Sequence, residues 1–374
     1  MDKFSKGELY IMSSLIVEVC KIESIEKCPN ADKLSVVKVK GWQCLVGLDQ
    51  YKVGQLVVFV PPDSILPQSL IEKYNLEYLK KNGRTGTIKL RGALSQGLIL
   101  DADPSWKEGQ DVADILGIIK YEPPQADYQQ AIVKKTSRKR INPAFDVYTD
   151  IENIKHYPDV FAVGDEICIT EKLHGCNSRY SRLPIAIQDN APIFDKLSFW
   201  FRKYIIHQSQ EFCYGSHRVQ ITAHTNRKSF YGSDIWAEMI SKYNLDKIIP
   251  DNTIVYGEII GDKIQDLTYG LKNGQRDLYV FDIKQNGQYL DWEQVREFCK
   301  QNGLKHVPQL YIGNYYNGVI QKHTSGNSIL AGNQIREGVV CKSLREENNL
   351  QIGRKILKSI SEEYLLRKNG TEYT

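Results

Sequence analysis

Apolar and polar residues alternate along most of this chain with the two-residue period of half-buried strands. Near the start, Leu15–Val19, Lys33–Val39, Trp42–Leu48 and Gln55–Val60 each carry the pattern, the last ended by Pro61-Pro62. Ile88–Gly92 and Gln96–Leu100 add two more short strands, and Pro67–Lys81 reads as one helical insertion. Five or six short strands with a single helix predict a small OB-type barrel over residues 1–120. A stretch from about 117 to 144 then loses its periodicity. Pro123-Pro124, a Gln-rich run and the basic segment 134–140 predict a linker, placed at 121–141.

From 142 to 374 the period of two returns. Strands dominate, and helices are expected near Lys196–Ser209, Ser233–Tyr243, Asp291–Gln301 and Ser325–Leu330. The fold class is α+β: a barrel followed by a domain of antiparallel sheets with flanking helices. The long segment from Leu183 to Ser209 has no evident purpose.

Composition changes this picture little. Of 374 residues, 41% are hydrophobic and 25% charged, ordinary for a soluble globular protein. A net charge of +4 is compatible with nucleic acid without arguing for it. The 8 cysteines are scattered, with no two-residue spacing of a zinc or redox motif, which implies reduced thiols inside a cell, in cytoplasm or nucleus. The start is polar, without a signal-peptide core, and no run approaches the roughly 18 apolar residues of a membrane span. No Walker or Rossmann glycine loop occurs.

The candidate chemistry lies at the end of one strand. Ile167–Thr170 alternates and delivers Glu171-Lys172-Leu173-His174-Gly175, then Asn177 and Arg179. A lysine at a strand end, partly desolvated and near other cations, can act as a nucleophile. The following glycine marks a tight backbone position. Four further stretches come in order: Thr253–Gly261 with Glu258, Leu278–Ile283 with Phe281, Ile335–Lys342 with Glu337 and Lys342, and Arg354–Ser361 with Lys355 and Lys358. Each alone is an ordinary buried-strand pattern. On the barrel, Lys38, Lys40, Trp42, Lys80, Lys81, Arg84, Lys89 and Arg91 interleave basic and aromatic residues that could form a nucleic-acid face.

Together these stretches resemble the covalent nucleotidyltransferase superfamily, and most closely the type 5 ATP-dependent RNA ligases, which join an N-terminal OB domain to an ATP-grasp-like ligase adenylation domain. Cys28–Leu34 also resembles the OB domains that bind tRNA beside aminoacyl-tRNA synthetases. The ligase resemblance makes Lys172 the residue that becomes lysyl-AMP, with Glu171, Leu173, His174, Gly175, Asn177, Arg179 and Lys342 around the nucleotide. It places Glu258 on the ribose, Phe281 on the adenine face and Glu337, with Glu258, at the metal. It gives the α-phosphate to Lys358 or Lys355, and Gly215–Arg218 becomes an additional motif carrying Arg218. ATP and Mg2+ or Mn2+ are the implied cofactors. RNA with 3′-OH and 5′-phosphate ends, in a nicked duplex, is the implied substrate for a monomeric enzyme. DNA ligases and capping enzymes usually have Asp where His174 stands, and they carry a sixth motif and a C-terminal OB domain that this sequence lacks. A DNA ligase, a capping-type enzyme or a non-catalytic RNA-binding protein are the alternatives. The fifth motif departs from its usual form: two residues separate Lys355 from Lys358, where one is common.

Overall fold

A computed structural model describes residues 15–79, 83–121, 142–187, 193–221 and 233–367. The linker expected at 121–141 lies, apart from Tyr121, outside the described residues, as do Lys80 and Lys81.

The N-terminal strands close around two apolar clusters. One three-stranded sheet runs Glu18–Lys21, Leu56–Val60, Leu98–Asp101, and another runs Ser24–Lys27, Leu34–Val39, Trp42–Gly47. The Ala93–Gln96 strand joins them, its backbone and side chains accepting from Gln43 Nε2 and Leu45 N at 2.9 and 3.0 Å. Val19, Val58 and Val60 fill one cluster, and Val37, Val39 and Trp42 the other, all at most 4% exposed. The strand expected at Gln96–Leu100 is broken at Gly97. Its φ is +77°, and a Cβ there would sit 2.2 Å from the Val60 carbonyl oxygen, so only glycine lets the chain cross the neighbouring strand. The first strand begins at Glu18 rather than Leu15, and the helix of the insertion is only Gln68–Lys73.

The larger domain is two sheets. The five-stranded one has the order Glu152–Asn153, Ile356–Ile360, Gly338–Ser343, Glu166–Lys172, Gln309–Asn314. The other, of seven strands, runs Gln220–Ile221, Gln210–Gly215, Cys176–Pro184, Thr253–Gly261, Arg276–Gln285, Gln288–Tyr289, with Lys305–His306 beside Arg276–Gln285. Most pairs are antiparallel; the two short strands at 152–153 and 305–306 pair in parallel. Ile235–Tyr243 and Trp292–Gln301 cover the second sheet through Trp236, Met239, Trp292 and Val295. Asp291 and Gln294 form a capping box on the latter helix.

Two helix expectations need correction. No helix occupies Ser325–Leu330; the helix is Val319–Thr324, and the chain then turns through Gly326 at φ +113°, a conformation that stops a right-handed helix. The helix expected from Lys196 starts at Ile193, runs to Trp200 and continues as one π turn, Phe201–Ile205. It fills much of the unexplained 183–209 segment.

The barrel leans on the strand edge that carries Lys358. Trp42 stacks at 4.9 Å on His156, with the Lys155 ammonium 5.0 Å from its ring, and Lys155 also donates to Gln96 at 3.3 Å. Lys89 donates to the Leu366 carbonyl at 2.7 Å, Arg84 pairs with Asp63, and Lys40 pairs with Glu18. Trp42 and Lys89 therefore face the larger domain, which corrects the expectation of one continuous nucleic-acid face. Alternation gave the surface pattern of these residues, but not which face another domain would cover. Lys38 and Arg91 stay exposed.

Candidate active site

Three adjacent strands of the five-stranded sheet converge on one point. Lys172 ends its strand opposite Gly338, and Lys358 sits opposite Val340 on the next strand but one. Glu337 therefore enters beside Lys172, and the two side chains form an ion pair in which the Lys172 ammonium donates to Glu337 Oε1. Glu337 is 2% exposed, and its Oε2 has no hydrogen-bond partner. A buried carboxylate oxygen without a donor is costly, so it marks a place built for something else to bind.

Chain reversal after Lys172 delivers the second wall. Leu173, His174 and Gly175 connect to the Cys176–Pro184 strand, which pairs Asn177 with Glu258 on Thr253–Gly261. A Cβ on Gly175 would lie 2.3 Å from the Ile259 carbonyl oxygen and 3.0 Å from Glu258 Cγ. The glycine is thus required because the turn presses against the Glu258 strand, bringing the two motifs together. Asn177 Oδ1 is buried and, like Glu337 Oε2, has no hydrogen-bond partner.

A cavity of about 210 Å³ opens between the sheets, lined by Lys172, Glu258, Phe281, Lys342 and Lys358 among others. Burial dominates its electrostatics. It pushes Glu258 up to about 8, with Glu337 adding and Lys172 opposing. Burial, and then the Lys172 charge, lower Lys358. His174 is lowered by burial against the pull of Glu337 and Asp266.

Behind the aromatic wall lies a second charged group. Asp282, fully buried, accepts from Tyr148 and Arg354 Nη2, both at 2.8 Å, and lies 3.4 Å from Lys342 Nζ. Burial would raise its pKa, but Lys342 and Arg354 outweigh that and hold it below the usual carboxylate range. Tyr148 packs edge-on against Phe281 at 4.9 Å, which links this network to the cavity.

The RNA ligase family model matches residues 165–360, which include Lys172, Glu258, Phe281, Glu337, Lys342 and Lys358. The chain belongs to the RNA ligase family. An OB-fold domain model matches residues 16–102. Among solved structures, the RNA ligase of Naegleria gruberi with PPi is 25% identical, with a TM-score of 0.63, covering 94% of this chain and 98% of that one. Variants of the same protein with ATP and Mn and with AMP and Mn, each 24% identical, have TM-scores of 0.63 and 0.64 over 94% of this chain and 98% of theirs. Curated proteins give no match to the sequence. This RNA ligase is thus an enzyme whose fold, an OB domain followed by a ligase domain, extends over nearly its entire length.

Against that fold, the sequence candidates separate into two sets. Lys172, Glu171, Leu173, Asn177, Glu258, Phe281, Lys342 and Lys358 line the cavity, and Glu337 meets it through Lys172. The rest stand back. Glu171, although it lines the cavity, has a buried carboxylate that accepts from Ile329 N at 2.9 Å. Arg179 is buried behind the wall, donating to the carbonyls of Phe145, Asp146 and Ser216 at 2.8 Å. Lys355 donates to Asp165 at 2.7 Å and Glu347 at 3.2 Å, away from the cavity. Arg218 is exposed, whereas His217 beside it lines the cavity. Tyr148–Ile151 also line it and carry no motif; the only hint was aromatic spacing after Pro143. Among the described residues, no helix is long and apolar enough to cross a membrane.

Proposed function

We propose that this enzyme is an ATP-dependent RNA ligase that joins 3′-OH and 5′-phosphate ends through a lysyl-AMP at Lys172, and that nicked duplex RNA is its substrate. The observation that supports this reading best is the pair of Lys172 with the buried Glu337, beside Glu258 and Lys358 in one cavity. The three-step sequence accounts for each residue. The neutral Lys172 amine attacks the α-phosphorus of ATP; an N–P bond forms, the bond to pyrophosphate breaks, and the amine gives up its proton. An oxygen of the RNA 5′-phosphate then takes the adenylyl group and frees the lysine. Last, the 3′-hydroxyl attacks that phosphate, loses its proton and releases AMP. Positioning and charge compensation carry such transfers.

Lys358 offers a compact cation to the α-phosphate oxygens. Phe281 presents a flat apolar face to adenine, and Glu258 meets the ribose hydroxyls. Among the described residues no three His, Cys, Asp or Glu side chains cluster as a metal cage. Glu337 with its unpartnered oxygen, together with Glu258, nevertheless suits Mg2+ or Mn2+, hard ions commonly held by one or two carboxylates plus substrate phosphates. When bound, such an ion offsets the charge that builds on the phosphate oxygens. The exposed Lys38 and Arg91 of the barrel are proposed to contact the RNA backbone, and the domains to divide at 121–141.

The test is incubation with labelled ATP, GTP or NAD and Mn2+, followed by sealing of nicked RNA. Label on the protein from ATP alone, with joining of a 5′-phosphate nick, is the expected outcome. Absence of labelling overturns the reading. Lys38→Glu with Arg91→Glu is expected to weaken sealing, more steeply as salt rises, and to leave labelling unchanged.

A further inference from the structure

His174 follows the nucleophile by two residues, and two distant parts of the chain, the loop with Asp266 and Tyr269 and the helix with Tyr364, hold it. Its backbone N–H donates to the Tyr269 hydroxyl at 2.6 Å. Its Nε2 lies 2.8 Å from Asp266 Oδ1, and its Nδ1 lies 2.9 Å from the Tyr364 hydroxyl. Arg367 braces both partners. It donates to Asp266 Oδ2 at 2.7 Å and Oδ1 at 3.1 Å, donates to the Tyr364 carbonyl at 2.7 Å, and lies 3.6 Å from the Tyr364 ring centre. Tyr364 is fully buried, in the short helix Glu362–Leu366 that follows the Lys358 strand. None of Asp266, Tyr364 and Arg367 lies in a motif read from the sequence.

Donor inventory fixes the proton. An ionised carboxylate only accepts, so Nε2 carries the hydrogen toward Asp266. Nδ1 is then a lone pair, and Tyr364 donates to it. Glu337 Oε2, without a hydrogen-bond partner, lies 4.0 Å from that same Nδ1. In the opposite tautomer the Tyr364 hydroxyl at 2.9 Å would have to accept from Nδ1, and the positive end of that N–H would face Glu337 Oε2 at 4.0 Å, loosening the carboxylate's hold on Lys172.

We propose that Asp266 and Tyr364, braced by Arg367, are positioning residues that lock His174 in the Nε2–H tautomer and so reserve Glu337 for the nucleophile's side of the cavity. The proposal rests on the reading of Lys172 as the adenylated residue. Outer partners that fix an imidazole's tautomer commonly cost 10- to 100-fold when removed. Asp266→Asn should do so here. Arg367 would draw the amide oxygen, leaving the amide N–H2 to face Nε2 and force the hydrogen onto Nδ1.

The test uses the full chain, with nitrogen NMR of histidine-labelled protein to read the His174 tautomer and single-turnover labelling from ATP to read the rate. Wild type should show an Nε2–H ring. Asp266→Asn should show Nδ1–H, lower the rate of lysyl-AMP formation roughly 10- to 100-fold and change the ATP concentration for half-maximal rate far less. Asp266→Glu, which restores the acceptor, should recover the tautomer and part of the rate. Tyr364→Phe covers the case in which Asp266→Asn fails to fold: the ring should stay Nε2–H while the Nδ1 resonance moves toward that of a bare ring nitrogen. A folded Asp266→Asn protein that keeps the Nε2–H ring, or an unchanged Nδ1 resonance in Tyr364→Phe, overturns the proposal. A wild-type protein without ATP labelling refutes the ligase reading instead, and the resonances alone then decide the tautomer.

Discussion

Two buried charge clusters share the larger domain, and they are built in opposite ways. Around Asp282 the carboxylate is fully engaged: Tyr148 and Arg354 donate to it, Lys342 lies 3.4 Å away, and Arg354 reaches on to Glu346 at 2.6 and 2.7 Å, although Lys342 Nζ and Arg354 Nη1 have no hydrogen-bond partner among the described residues. Around Lys172 the pairing is incomplete. Glu337 spends one oxygen on Lys172 and leaves the other bare, Glu258 is pushed toward its neutral form, and three lysines, Lys172, Lys342 and Lys358, line one cavity. Both clusters hold buried atoms without a hydrogen-bond partner, so the difference lies in the carboxylates: both oxygens of Asp282 accept hydrogen bonds, and Glu337 leaves one bare. A closed network holds a fold together, and an open one retains unspent binding capacity for a ligand.

Mutation should separate them most sharply at their centres. Lys172→Ala is expected to bring ATP labelling below detection, to seal pre-adenylated RNA at least in part, and to cost less stability than the loss of Asp282, because the Lys172 side chain is itself partly exposed. Asp282→Ala is expected to do the reverse in kind: it strands Lys342 without its counter-charge and leaves Arg354 only Glu346, at a cost of about 3–5 kcal/mol in stability. Denaturant titration beside the labelling assay checks both. Labelling that survives Lys172→Ala breaks the comparison at the open cluster, and an Asp282→Ala protein as stable as wild type breaks it at the closed one.

Next in size comes Glu337→Gln, which keeps the shape and removes the charge. Adenylation should fall at least about tenfold, with the Mg2+ or Mn2+ titration moved to higher concentration. A Glu337→Gln protein with an unchanged metal titration would make Glu337 a structural partner of Lys172.

Much of the open cluster was legible in the sequence, because its members sit on strands with strict alternation and keep their order along the chain. Lys172, Glu258, Phe281, Lys342 and Lys358 all reach the cavity for that reason. What could not be read is what long-range pairing assembles. Asp266, Tyr364 and Tyr269 lie far from His174 in sequence and belong to no periodic pattern. Asp282 stands next to Phe281 in sequence, and strand alternation sends it to the opposite face, where the closed cluster lies. The barrel shows the same limit. Its strands were readable from residues 33–60, but Trp42 looked like a stacking surface until the larger domain covered it with His156 and Lys155. The helix at Val319–Thr324 was placed six residues late because Gly318 and Gly326, which bound it, were not weighed as stops.

A smaller effect tests whether the open cluster is strained even without ligand. Glu258 holds its proton up to about pH 8 when folded, against 4.5 for an ordinary glutamate. Between those values the native state keeps a proton that the unfolded chain has lost, so stability falls as pH rises through the window. Glu258→Gln removes that dependence. The variant should melt above wild type at pH 8.5, with the gap closing toward pH 5, while it labels poorly from ATP. Parallel melting curves for the two proteins across this range would mean that Glu258 is not held in a strained state.

The smallest expected effect belongs to Lys355. Lys358 lies within the strand Ile356–Ile360, whereas Lys355 stands just before it, at a bend. Lys358 looks into the cavity, opposite Val340. Lys355 looks away, and its ammonium is already divided between Asp165 and Glu347, which raise its pKa against the opposing effect of burial. Both partners remain partly open to solvent, so the pairs are worth no more than about 1 kcal/mol. Lys355→Ala should therefore cost a little stability and change ATP labelling by less than about threefold, whereas Lys358→Ala removes a charge from the reacting phosphate and should cost roughly 100-fold. Single-turnover labelling of the two variants side by side gives the answer. If Lys355→Ala is the more damaged, the division between an open and a closed side of this sheet fails at its edge, and the α-phosphate lies on the Asp165 side.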